Sequence, residues 1–190
     1  TGRFYSPQQV FDGLVKSARK HGHNLISASA SEGTLGRQHL FELLDLVEET
    51  EYVYILETNG ITLGDDPEFV EQLAKYKQLH VRVSIKGTDE DLFHELTGAH
   101  RASFELPFKA LKSLVASYVS CNACVMVSFS DKAGVHAVKQ RLFELHPGLL
   151  KSLELESITM FPKVAERLAR SNLKPSSIRA GGKIIMTDRL

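Results

Sequence analysis

Apolar positions recur along the chain at two alternating spacings, about 3.6 and about 2 residues. Val10, Leu14, Val15 and Ala18 share one helical face. Ser6 stands before them as an N-cap, Pro7 enters the first turn and Gln9 completes a capping box, so a helix is expected to run to about Gly22. Asn24–Ser29 reads as a short strand. Leu40, Leu43, Leu44 and Val47 mark a second amphipathic helix over 37–48. Tyr52–Glu57 is the next strand, Asp66-Pro67-Glu68 opens a helix to about Tyr76, and Leu79–Ile85 is a strand again. Thr88-Asp89-Glu90-Asp91 places acids in a first helical turn. A longer helix is expected at about 104–118, a β-branched strand at Ala123–Phe129, a helix at Lys132–Leu145, a last strand at Leu153–Thr159 and a last helix at 162–172. Beyond Pro175, Ser176-Ser177, Gly181-Gly182 and Ile184-Ile185-Met186 fit no assigned element.

Strands alternating with helices in this way imply right-handed crossovers and a parallel sheet. Because the chain opens with a helix that wants a strand before it, the expected class is α/β, a partial TIM-like barrel with its first strand missing. The barrel would occupy 1–175 and a C-terminal tail 176–190. A sheet lacking its first strand presents an unpaired edge at about Leu25–Ser29, and such edges invite pairing. A homodimer, a swapped element, or Ile184–Met186 laid over the gap would answer it.

The 190 residues carry 23 Lys and Arg against 23 Asp and Glu, so no basic surface points to nucleic acid or an anionic membrane. No apolar stretch is long enough to span a bilayer, and no secretory signal is visible. A soluble, cytoplasmic protein is the default expectation. The first residue is Thr1 rather than Met, as expected of a chain whose beginning was processed or removed.

Candidate chemistry sits where apolar runs stop. Glu57-Thr58-Asn59-Gly60 and Ser84-Ile85-Lys86-Gly87 end two consecutive strands, and ligands of parallel α/β proteins bind at carboxyl strand ends. Arg82 alternates with Val81 and Val83, so it faces either the helices or a barrel lumen. Cys121 and Cys124 are the two cysteines; residues three apart on one strand point to opposite faces, which favours small buried cysteines over a metal or redox pair. The eight histidines show no metal-site spacing, so no metal ligand is expected. Neither a phosphate-binding glycine loop nor a nucleophile elbow is present.

Four stretches together carry a resemblance: Ser29-Ala30-Ser31-Glu32-Gly33-Thr34-Leu35-Gly36, Glu57-Thr58-Asn59-Gly60, Val83-Ser84-Ile85-Lys86-Gly87, and Phe93-His94-Glu95-Leu96-Thr97-Gly98-Ala99. Over roughly the first 130 residues the chain resembles the radical S-adenosylmethionine (SAM) superfamily, near archaeal uncharacterised members and pyruvate formate-lyase activating enzymes. The resemblance implies a partial (β/α)6 barrel that binds SAM across its strand tips. It implies a Cys-x3-Cys-x2-Cys loop holding a 4Fe-4S cluster, and reductive cleavage of SAM to a 5′-deoxyadenosyl radical. An electron donor and a small-molecule or protein substrate of unknown identity follow from that activity. By position, Glu32 stands where the family's acid meets the SAM amino group. Ala30 and Ser31 replace the family's glycines there, and Gly33 its proline. Glu57, Thr58 and Asn59 correspond to residues near the SAM carboxylate and ribose, Ser84 and Lys86 to the next strand tip. Val125, Val127 and Ser128 would flank the adenine. The three-cysteine loop is not among these residues; the expectation is that it precedes Thr1. The alternative is a barrel without the chemistry, serving as a nucleoside-binding or assembly module.

Overall fold

The computed structural model describes residues 3–29, 31–171, 173–180 and 182–186. The first two positions, Ala30, Asn172, Gly181 and the last four positions lie outside these, and so do the expectations that fell on them. The described chain divides into two compact units, Thr1–Val83 with Glu105–Asn122, and Ser84–Phe104 with Ala123–Leu190.

The first unit opens with α1 (Pro7–His21), whose capping box forms as expected: Gln9 N–H donates to Ser6 Oγ at 3.2 Å, and Ser6 N–H to Gln9 Oε1 at 2.9 Å. Gly22 ends it in the left-handed region at φ 68°, where a glycine avoids Cβ strain. Strand β1 (Leu25–Ile26) pairs parallel with β2 (Val53–Thr58), and β2 pairs parallel with β3 (Leu79–Lys86). A 3₁₀ turn (Gly33–Gly36) and α2 (Arg37–Glu48) join the first two strands. Between β2 and β3 lie α3 (Ile61–Asp65) and α4 (Pro67–Leu73), the second N-capped by Asp66.

The leucine stripe of α2 is buried as its spacing predicts, with Leu40, Leu43, Leu44 and Val47 in a core that includes Leu56, Leu63, Phe69, Val70 and Val81. Each such side chain contributes about 1.5–3 kcal/mol through burial. Later in the chain, α6 (Leu106–Ala116) adds Phe108, Leu111 and Leu114 to the same unit. The expected helix at 104–118 is thus shorter, because residues Arg101–Glu105 form a separate 3₁₀ turn.

In the second unit, α5 (Glu90–Thr97) is capped by Asp89, whose carboxylate accepts from Leu92 N at 2.8 Å. Phe93 of α5 meets Phe104 with ring centroids 5.8 Å apart. Strand β4 (Cys121–Met126) pairs parallel with β5 (Glu154–Glu156), and α7 (Lys132–Leu145) and α8 (Pro147–Lys151) connect them. The strand expected at Ala123–Phe129 begins two residues earlier and stops at Met126. A turn closed by Ser130 N on Val127 O ends it, and Asp131 caps α7 immediately afterwards.

The run Leu153–Thr159, expected as one strand, breaks at Ser157. Its second half is β6 (Ile158–Thr159), which belongs to a small sheet with β7 (Ser177–Ala180) and β8 (Lys183–Met186). α9 (Pro162–Ser171) leads to β7. β7 and β8 form an antiparallel hairpin, so Ile184–Met186 pairs with β7 and not with the β1 edge.

The larger sheet runs in chain order, β1-β2-β3-β4-β5. The expected α/β class with parallel strands is what this sequence builds. Among the described residues no helix is long and apolar enough to cross a membrane.

Candidate functional site

In the first unit the polar groups at the end of β2 are organised by one residue, Glu32. It sits in the loop before the 3₁₀ turn, half-buried, and its carboxylate is the acceptor for two strand-tip groups. Thr58 Oγ1–H donates to Oε1 at 2.7 Å, and Asn59 N–H to Oε2 at 2.7 Å. Thr34 Oγ1–H donates to Oε1 at 2.7 Å as well. Hydrogen bonds to an ionised carboxylate at such distances are the strong kind. Thr58 then accepts from Gly60 N at 3.0 Å, and Asn59 Oδ1 accepts from Ile61 N at 2.9 Å. Glu32 therefore straps the β1–α2 loop to the β2 tip, and Asn59 Oδ1 takes the first N–H of α3.

Strand alternation separates the expected neighbours Glu57 and Thr58. Thr58 lies on the buried face in register with Val83. Glu57 lies on the opposite face in register with Arg82, and the two form an ion pair at 3.2 Å. Arg82, whose direction the sequence left open, thus faces away from the helices beside Glu57. Its side chain is 17% exposed against 44% for Glu57. This leaves Glu57 an oxygen for other donors and Asn59 its amide N–H groups.

On the same open face, His80 bridges Ser120 Oγ at 2.8 Å and Asn122 Oδ1 at 2.9 Å. At the end of β1, Ser27 Oγ is buried without a hydrogen-bond partner. Such an orphan at a strand tip asks for a polar partner. Ser27 and Arg82 are positions that the sequence did not mark as site residues; the β-spacing that placed Glu57 on one face places Arg82 opposite it.

In the second unit, Ser84 and Lys86 alternate with buried Ile85 and are both half-buried. Among the described residues Lys86 makes no ion pair. Gly87 follows at φ 78°, where a Cβ would meet Leu92 and Phe93 at 3.0–3.1 Å. Val127 and Ser128 lie just past β4. Ser128 is fully buried, and its groups are engaged within the fold: Oγ accepts from Ile158 N at 2.7 Å, and its carbonyl from Ser176 N at 2.6 Å.

Cys121 and Cys124 occupy β4 with their side chains on opposite faces, as the spacing required. Burial pushes the Cys121 thiol up to about 11, and Cys124 is fully buried. Two thiols directed apart, one of them held protonated, do not fit an iron–sulfur cluster, whose ligands are converging thiolates.

A parallel β/α repeat carrying unshared polar groups at strand ends defines a ligand-binding protein of the barrel-derived α/β class. The comparisons make the class specific. The profile of the Radical SAM superfamily matches residues 1–133, and the chain belongs to that superfamily. Streptococcus suis SuiB bound to S-adenosylmethionine superposes with a TM-score of 0.69 at 18% identity, over 90% of this chain and 40% of SuiB. Native anSMEcpe with bound AdoMet gives 0.59 at 18% identity, over 83% of this chain and 44% of that one. A cysteine-to-serine mutant of spore photoproduct lyase gives 0.55 at 17% identity, over 87% and 50%. At these identities the likeness is one of fold, and it bears out the partial barrel. The chain spans less than half of SuiB and anSMEcpe and half of the lyase. No curated protein matches it.

Proposed function

We propose that this chain is the SAM-holding part of a radical SAM enzyme. What supports the reading is the superfamily match over 1–133 together with polar groups at the β1 and β2 tips that the fold does not consume. The donor set suits SAM. Glu57 offers a carboxylate oxygen to ribose hydroxyls or an ammonium, Asn59 offers amide N–H groups, and Ser27 Oγ lacks a partner. In the second unit, the Lys86 ammonium suits a carboxylate as a point charge, with Ser84 beside it and Val127 as an apolar contact for a purine.

Glu32 and Thr58 act one step behind, fixing the Asn59 backbone. The 4Fe-4S cluster of the superfamily would supply an electron to SAM, and Cys121 and Cys124 would not hold it. SuiB is known bound to a precursor peptide, SuiA, and a peptide is accordingly the first substrate class to try.

The test is calorimetric titration of the 190-residue chain with SAM and S-adenosylhomocysteine. Binding of both, weakened about tenfold or more by Glu57→Gln and by Lys86→Ala, is the expected result. Absence of binding at millimolar SAM would remove the proposal. A second reading, a nucleoside-binding module without radical chemistry, is favoured by the engagement of Glu32 in four internal hydrogen bonds. It predicts adenosine binding as tight as SAM, and no 5′-deoxyadenosine from the reduced, cluster-reconstituted whole protein.

A further inference from the structure

The second unit contains a cavity of about 480 Å³ that none of the cofactor contacts proposed above, Val127 apart, enters. That size takes a small organic molecule. Its apolar lining comes from Val127 and Leu155 beside the ends of β4 and β5, and from Ile184 and Met186 of β8. Leu155, Ile184 and Met186 are 37%, 54% and 44% exposed, so the fold itself leaves this apolar surface uncovered.

Three of the four titratable residues of the lining are basic. Lys132, His136 and Lys139 recur at helical spacing along α7 and all border the cavity. The acid among the lining residues, Asp131, is committed to capping α7 through Gly134 N at 2.7 Å. Ser130 also borders the cavity, but its Oγ is shut off from solvent. The start of α7 adds the positive end of a helix dipole to the same wall.

We infer that this cavity binds a small organic anion, its carboxylate or phosphate head held by Lys132 and Lys139 and its apolar body laid on Val127, Leu155, Ile184 and Met186. The two head groups share this chemistry, and the probes separate them. The inference shares Val127 with the proposed SAM site and otherwise needs neither a cluster nor the residues of the first unit.

The experiment titrates the chain with octanoate, octyl phosphate, 1-octanol and adenosine, by calorimetry and by amide chemical shifts. One-to-one binding of at least one anion, at least tenfold tighter than 1-octanol, is expected, with shifts at 130–139 and 184–186. The tighter of the two anions identifies the head group. Lys132→Ala/Lys139→Ala changes only positions that solvent reaches, and is expected to weaken the anion at least tenfold while leaving 1-octanol unchanged. Equal binding of anion and alcohol overturns the proposal, as does no binding of either anion at millimolar concentration. Displacement of the anion by adenosine overturns it too, since the cavity would then belong to nucleoside binding.

Discussion

Removing the Glu32 carboxylate tests whether the β2 tip is held by long-range hydrogen bonds or by its own turn. Three donors reach it at 2.7 Å, the hydroxyls of Thr34 and Thr58 and the backbone N–H of Asn59. Thr34 and Thr58 are buried, at 2% and 3% exposure, so water cannot readily replace the lost acceptor for them. Asn59 is exposed and can turn to solvent. Leaving a buried hydroxyl unpaired costs about 1–3 kcal/mol, and two such groups in a half-buried setting put Glu32→Ala at about 2–4 kcal/mol. Glu32→Gln keeps one acceptor oxygen but sets an amide NH2 against groups that now donate. Thr58 Oγ1 already accepts from Gly60 N at 3.0 Å, so it has one lone pair left to receive that amide. About half of the alanine cost is expected. Urea unfolding followed by circular dichroism measures the global loss. Hydrogen exchange at Asn59 measures the local one, where about 2 kcal/mol is about a thirtyfold faster rate. If Glu32→Ala stays within about 0.5 kcal/mol of the parent, the ordinary range of a surface change, and Asn59 exchanges no faster, the strap is not what holds the tip.

Two further predictions rest on different physics. The half-buried Cys121 thiol has its pKa raised from 9.0 to about 11 by desolvation, so the folded state holds that proton more tightly than the unfolded chain. Its contribution to stability is full below pH 9 and is lost as pH climbs toward 11; Cys121→Ser should flatten that part of a Tm-versus-pH curve, and an unchanged curve would refute the assignment. Gly64 and Gly13 should respond oppositely to alanine. A Cβ at Gly64 would run into the carbonyl oxygen of Leu106, a backbone atom that cannot swing away, whereas nothing lies within 4 Å of one at Gly13. Gly64→Ala should cost about 3 kcal/mol or more by forcing α3 off α6, and Gly13→Ala should gain about 0.5–1 kcal/mol in the middle of α1; thermal unfolding of both reads the contrast.

Much of this protein is settled by local physics and can be read along the chain. Helix starts at Ser6, Asp66 and Asp89 are legible because a capping side chain acts within three residues of its own backbone. The leucine stripe of α2 and the alternation of β3 are legible because burial follows the period of the element. The opposed directions of Cys121 and Cys124 followed from the same period of two. The superfamily was legible in four short stretches, three at a strand end or a helix start and one, Phe93–Ala99, over the C-terminal end of α5. Other features exist only through contacts at longer range. The acceptor for Thr58 is Glu32, 26 residues away, and no local pattern pairs them. The break at Ser157 comes where Ser128 Oγ takes the Ile158 N–H and β7 takes Ile158 into the small sheet. Gly64 is required by Leu106, a residue of another helix. The basic stripe of α7 becomes the wall of a cavity only when β8 folds back near it. Each of these depends on where distant backbone comes to rest, which is set by the packing of the whole unit and not by any window of the chain.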